Sequence, residues 1–222
     1  MDFKFYGHAC FSLTTKQHTL LFDPFFTDNP FQIAQLEEIN ADYIFVSHGH
    51  FDHLGDALEI AKKCQATIIS TAEIAHLATE HGCLAHAMHL GGKHTFDFGT
   101  VRVTLAFHGS GIPGGHACGF VVTTPEKTIY YAGDTALFGD MQLLGELETI
   151  DYALLPIGDN FTMGPEDALI ACKLLKAEHV IPIHYNTWPV IAQDPEKFKQ
   201  AVENQGYAKV VIVAPGTTID LK

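Results

Sequence analysis

Tyr43-Ile44-Phe45-Val46-Ser47-His48-Gly49-His50-Phe51-Asp52-His53 is the stretch on which the reading of this chain turns. Its first four residues are an apolar run of β-branched and aromatic side chains, the composition of a buried strand. Three imidazoles and a carboxylate then fall within residues 48–53. Four such groups cannot share an apolar core, because each would lose its water with no assured partner. They can share a loop at the end of a strand and face one cavity. Imidazole with carboxylate suits zinc, iron or manganese, and three His plus one Asp exceed what one catalytic metal takes from a protein. The spacing therefore points to two metals served by one loop. The competing reading, a His-rich solvated turn, sits poorly with the apolar run directly before it.

Three more ligand-type residues stand where an apolar run gives way to a turn. His108 follows residues 101–107, Asp134 follows 128–132 within Gly133-Asp134-Thr135, and His184 ends 180–183. Each alone suits an ordinary loop, but with the 48–53 cluster they form a constellation. Short apolar or alternating runs predict further strands at 3–6, 10–14, 19–22, 67–70, 95–98, 120–124, 152–155, 210–213 and 217–221. Helical spacing predicts helices at 34–39, 54–64, 71–81, 165–175 and 195–204, with Gly82 ending the third, Pro165 opening the fourth and Asp194 capping the fifth. This order of elements predicts two sheets packed face to face with helices outside.

Composition limits the partners. There are 13 basic and 26 acidic residues, a net charge of −13, and no run of Lys or Arg, which excludes broad nucleic-acid binding. No apolar run approaches the length of a membrane span. The N-terminal residues lack a signal-peptide pattern, and the five cysteines are scattered with no CxxC pair. Reduced thiols in a cytoplasmic protein are the expectation.

His48-x-His50-x-Asp52-His53, then His108, Asp134 and His184, resemble in that order the signature of the metallo-β-lactamase superfamily. Gly7-His8-Ala9-Cys10-Phe11, Asp23-Pro24-Phe25, residues 158–168 and His184-Tyr185-Asn186-Thr187 resemble its small metal-dependent hydrolases related to L-ascorbate-6-phosphate lactonase. The resemblance implies an α/β fold, a four-layer αβ/βα sandwich of two facing mixed sheets with outer helices, as one domain over residues 1–222. It assigns His48, His50 and His108 to a first divalent metal ion and Asp52, His53 and His184 to a second, with Asp134 bridging. Zinc suits these ligands best, with manganese or iron as alternatives. A bridging hydroxide would be the nucleophile, oriented by Asp52.

Around this set, His8 is a candidate catalytic proton donor or substrate contact. Asp23 could fix the tautomer of a ligand histidine, although a turn carboxylate before Pro24 explains it as well. Thr162, Met163 and Asn186 lie on loops expected to border the site and touch substrate, and His116 lies in a glycine-rich rim, residues 109–119. The expected activity is metal-dependent hydrolysis of a small, anionic ester, lactone or phosphoester. The alternative is a metal-holding ligand-binding or sensory module without turnover. The partner is a small molecule, with neither nucleic acid nor membrane, and self-association is expected because relatives often associate. An exported lactamase, a nuclease with a clamp domain and a thioester hydrolase with an added helical domain are disfavoured by the missing segments. Redox relatives place Glu where this chain has His50.

Overall fold

The computed structural model describes residues 1–222. Its first third contains β1 (Asp2–Gly7), β2 (Cys10–Thr14), β3 (Thr19–Phe22), β4 (Tyr43–Phe45), α1 (Phe51–Leu54), α2 (Ala57–Cys64), β5 (Thr67–Thr71) and α3 (Ala72–Glu80). There follow β6 (Leu84–Met88), β7 (Lys93–Phe96), β8 (Gly99–Leu105), β9 (Cys118–Thr123), β10 (Thr128–Tyr131) and α4 (Met141–Leu147). The last third holds β11 (Tyr152–Pro156), α5 (Pro165–Leu175), β12 (His179–Ile183), α6 (Pro195–Asn204), β13 (Lys209–Val210) and β14 (Thr218–Asp220). No helix is long and apolar enough to cross a membrane.

Two seven-stranded sheets result, ordered β14-β1-β2-β3-β4-β5-β6 and β13-β12-β11-β10-β9-β8-β7. Each is antiparallel over half its width and parallel over the rest, with the changes at β3 and β10. The parallel halves are covered on their outer faces, α2 and α3 against the first sheet and α4, α5 and α6 against the second. Crossover helices place those layers, and strands buried on both faces read as continuous apolar runs such as Tyr152–Pro156. This is the αβ/βα sandwich expected from the sequence.

The inner faces meet in a core built on aromatic rungs. Phe11, Phe22 and Phe45 stand opposite one another on β2, β3 and β4, and their rings stack at centroid distances of 4.4 Å. Tyr131 of β10 meets Phe11 edge-on at 5.2 Å from the other sheet. Pairs of this kind contribute about 0.5–1.5 kcal/mol each beyond their buried area. The Tyr131 hydroxyl emerges at one end of this stack and donates to Asp23, so the core runs directly into the polar edge described below.

Several elements differ from the sequence expectation. The helix expected at 34–39 is a single 3₁₀ turn, Leu36–Glu38, with no buried residue to hold a longer one. The helix expected at 54–64 breaks at Gly55, whose φ of +40° carries the chain past Pro24. The strands expected at 95–98 and 101–107 are displaced toward the N-terminus, because they pair Phe96 with Gly99 across a tight turn. The strand at 210–213 shortens to Lys209–Val210. Strand β6 and helix α4 have no counterpart in the sequence reading.

Candidate metal centre

The segment 48–53 expected as a loop is a loop only as far as His50, with Asp52 and His53 on α1, and its His and Asp side chains reach the same edge of the sandwich as His108, Asp134 and His184. The loop leaves β4 of the first sheet, while His108, Asp134 and His184 follow β8, β10 and β12 of the second. Backbone bonds tie the two sheet ends together there: the Cys118 N–H donates to the Ser47 carbonyl at 3.0 Å, and the His184 N–H to the His8 carbonyl at 2.7 Å. His8, Asp23 and His184 all have left-handed backbones, with φ of 59°, 38° and 53°. Non-glycine residues take this conformation at a cost of order 1–3 kcal/mol, and such strain concentrates at functional sites.

Asp134 is the hub. Its Oδ2 lies 3.1 Å from His184 Nε2, 3.2 Å from His53 Nε2, 3.5 Å from His108 Nε2 and 4.0 Å from His48 Nε2. His48 Nε2 is 2.9 Å from His50 Nδ1. The donor atoms of His48, His50 and His108 lie within 4.8 Å of one another, as do those of Asp52, His53 and His184 together with His8. Two compact donor sets thus flank one carboxylate. Asp134 Oδ1, His53 Nε2 and His184 Nδ1 are buried without a hydrogen-bond partner. Buried polar atoms left unpaired are costly, and a carboxylate ringed by imidazole nitrogens calls for positive charge between them, which a cation supplies. Two nitrogens ligating one tetrahedral zinc stand roughly 3.3 Å apart, and donor sets gathered within 4.8 Å, with one His pair at 2.9 Å, fit divalent metal.

Hydrogen bonds behind the donors set their tautomers. The Asp23 carboxylate is fully buried and accepts from the Ser47 N–H at 2.7 Å, from His53 Nδ1–H at 2.6 Å, and from the Ser47 and Tyr131 hydroxyls. Because the Ser47 hydroxyl gives its proton to Asp23, it can only accept from His48 Nδ1–H, 3.0 Å away. In their neutral forms His48 and His53 therefore both keep the proton on Nδ1 and turn Nε2 toward the cavity, and one carboxylate organises two ligand-type histidines. On the other side, His8 Nε2 is 3.0 Å from Asp52 Oδ2 and His8 Nδ1 is 2.8 Å from the Thr187 hydroxyl. With Asp52 ionised, His8 donates from Nε2 and accepts from Thr187.

The electrostatics follow. Burial holds His8 down to about 4, reinforced by His184, so its ring is neutral at ordinary pH. Burial likewise holds His48 down to about 2, with His53 adding to it. Burial pushes the Asp52 carboxyl up, but the His8 hydrogen bond and the His53 charge outweigh it and keep Asp52 below the usual carboxylate range. Asp134 is also driven well below that range, by His184 and His53, against its burial. Burial would lower His53, yet Asp134 and Asp23 hold its proton far above the ordinary imidazole range. That trapped proton sits where a cation would satisfy the same carboxylates.

A cavity of about 480 Å³ opens over the donors, lined by His50, Asp52, His108, Asp134 and His184 and walled by Phe51, Phe161, Trp188 and Val190. No Lys or Arg lines it. A groove of about 580 Å³ between α5 and α6 contains none of the donors. Thr162, Met163 and Asn186 do not line the cavity. Met163 is completely buried in the core beneath the second sheet, Thr162 turns its hydroxyl to the Met163 carbonyl, and Asn186 accepts from the Gln193 N–H at 2.8 Å, pinning the turn before Thr187. The sequence reading gave no site role to the wall residues or to Ser47, Tyr131 and Thr187; an isolated aromatic or hydroxyl beside a motif carries no signal of direction. The rim expected at 109–119 does lap the site, with Gly49 N–H bonded to the Ser110 carbonyl at 2.7 Å, but His116 is exposed and stands against His89.

Residues 18–185 match the family model described as a beta-lactamase superfamily domain. The chain is 50% identical to a UPF0173 metal-dependent hydrolase of Natranaerobius thermophilus and 47% identical to the UPF0173 metal-dependent hydrolase YtkL of Bacillus subtilis, with 100% of each chain covered in both comparisons. It superposes on Igni18, a metallo hydrolase of the archaeon Ignicoccus hospitalis, with a TM-score of 0.93 and 38% identity, over 100% of this chain and 99% of that one. The chain belongs to the metallo-β-lactamase superfamily, as one of its metal-dependent hydrolases.

Proposed function

We propose that the enzyme works through a dinuclear centre, His48, His50 and His108 holding one divalent ion, Asp52, His53 and His184 the other, and Asp134 shared between them, to hydrolyse a small ester, lactone or phosphoester. The observation that carries this reading is the fan of four histidine Nε2 atoms within 4.0 Å of one carboxylate oxygen. Nitrogen-rich donors favour zinc, with manganese or iron as alternatives. A metal pair in such a site supplies water acidified toward a pKa of about 7 and polarises the bond under attack.

The chain's own residues do the rest. Asp23 fixes His53 directly and His48 through Ser47, so both present lone pairs without a change of tautomer. His8, held by Thr187, aligns Asp52 and keeps it ionised, leaving an acceptor at the cavity edge to orient a water molecule. The Phe161 and Trp188 wall limits bulk water around the reacting bond.

The test is reconstitution of metal-free protein with zinc, manganese or iron, assayed against esters, lactones and phosphodiesters. Turnover should vanish on chelation, return with metal, and be absent in His50→Ala and Asp134→Ala proteins that keep a native circular dichroism spectrum. Undiminished turnover in either variant contradicts the assignment.

A further inference from the structure

The wall of the cavity is made of a different material from its floor. The floor is imidazole and carboxylate, whereas Phe51, Phe161, Trp188 and Val190 form one apolar side. Phe51, Phe161 and Val190 are 69%, 55% and 55% exposed, so most of their apolar surface is left to solvent. The Phe51 and Trp188 rings lie 6.1 Å apart, and Trp188 is braced from behind by Phe25 and His8. Apolar side chains gathered beside convergent polar groups mark a binding surface.

Charge separates the candidate occupants. Arg102 is paired with Glu148 at 2.7 Å and Lys127 with Asp151 at 3.7 Å, both away from the cavity, and the chain as a whole carries −13. An anionic group placed beyond the metal floor would therefore meet an apolar wall in a negative field, with no cation to replace its lost water. We infer that the wall receives an uncharged hydrocarbon group, alkyl or aryl, and that the substrate is a neutral ester or lactone bearing one next to its hydrolysable bond. This class differs from the anionic substrate expected from the sequence. Hydrolysis breaks the acyl C–O bond, adds hydroxyl to the acyl carbon and a proton to the leaving oxygen, and releases the acid's proton to solvent. The resulting carboxylate finds no cationic side chain in the wall to retain it.

This inference rests on the hydrolase reading of the site, yet it can fail separately. Trp188 is the only tryptophan, so its fluorescence reports occupancy of the wall. Zinc-loaded protein is titrated with acetyl, butyryl, hexanoyl and octanoyl hydroxamates, and with an octanoyl analogue ending in a carboxylate. Affinity should rise about threefold to fourfold per added methylene until the wall is covered, and the terminal carboxylate should weaken binding at least about tenfold. Phe161→Ala should flatten the chain-length slope while zinc content stays unchanged. Affinities independent of chain length, or tighter binding of the carboxylate analogue, overturn the inference. In parallel, neutral p-nitrophenyl esters of the same lengths are assayed for turnover. Chain-length-dependent binding without chelator-sensitive turnover upholds the wall and defeats the hydrolase reading; turnover indifferent to chain length does the reverse.

Discussion

Replacing Asp23 with Asn isolates the part of the site that lies behind the donors. Asp23 has a φ of +38°, a conformation Asn tolerates as well as Asp, so the backbone is not an added variable. The carboxylate accepts four bonds: Ser47 N–H on Oδ1, and the Ser47 hydroxyl, His53 Nδ1 and the Tyr131 hydroxyl on Oδ2. An amide cannot satisfy this set in either orientation. With its oxygen toward His53, its NH₂ opposes the buried Ser47 N–H, an unpaired donor worth about 1–3 kcal/mol. With its NH₂ toward His53, the imidazole must accept at Nδ1 and carry its proton on Nε2, which removes a metal donor. Loss of such a partner typically costs about 10–100-fold in metal affinity. Zinc competition against a chromogenic chelator should therefore show a fall of that size, and urea unfolding of the metal-free protein a loss of about 1–3 kcal/mol. Affinity within about twofold of the parent, with unfolding unchanged, would refute the tautomer argument, because that argument requires at least a tenfold loss.

Other expectations follow from the same geometry. An unfolded histidine titrates near 6.5, whereas buried His8 resists protonation down to about 4, so below pH 6.5 the unfolded chain binds a proton that the folded chain refuses. Stability of metal-free protein should be intact above that pH and decline toward pH 4, by roughly 3 kcal/mol from His8 and further from His48, which is depressed in the same direction. Denaturant midpoints of His8→Gln should show a shallower acid slope, and an unchanged slope would dismiss the account. His53 carries the opposite sign: its raised folded value gives stability present below pH 6.5 and lost at alkaline pH, and bound zinc should abolish that alkaline loss. Gly55→Ala places a Cβ 2.5 Å from the Pro24 carbonyl oxygen at a φ of +40° and should cost roughly 2–5 kcal/mol in urea unfolding. A cost below about 1 kcal/mol, an ordinary surface value, would show that the α1–α2 corner yields freely.

The convergence of these His and Asp side chains was legible because each stands at or just beyond the end of an apolar run, and strand ends on one edge converge. The fold was legible because buried parallel strands such as 152–155 and 180–183 are unbroken apolar runs. Strand β6 was hidden because Leu84-Ala85-His86-Ala87-Met88 is an edge strand of weak β character. Helix α4 was hidden by Gly145 in its interior, which the sequence presents as a breaker. A Cβ there would stand 2.5 Å from the Leu174 and Leu175 carbonyl oxygens, so glycine is what lets α4 close on α5. The inversion at residues 161–163 has a similar cause. Left-handed Asp159 and Asn160 turn the loop so that Phe161 faces out and Met163 faces the core, and no hydrophobicity pattern encodes that.

The most direct test of the central claim is anomalous diffraction at the zinc edge from crystals grown with two equivalents of zinc. Two peaks about 3.5–4 Å apart, one among His48, His50 and His108, the other among Asp52, His53 and His184, with Asp134 between them, are the predicted result. A single peak, or peaks away from Asp134, would contradict it.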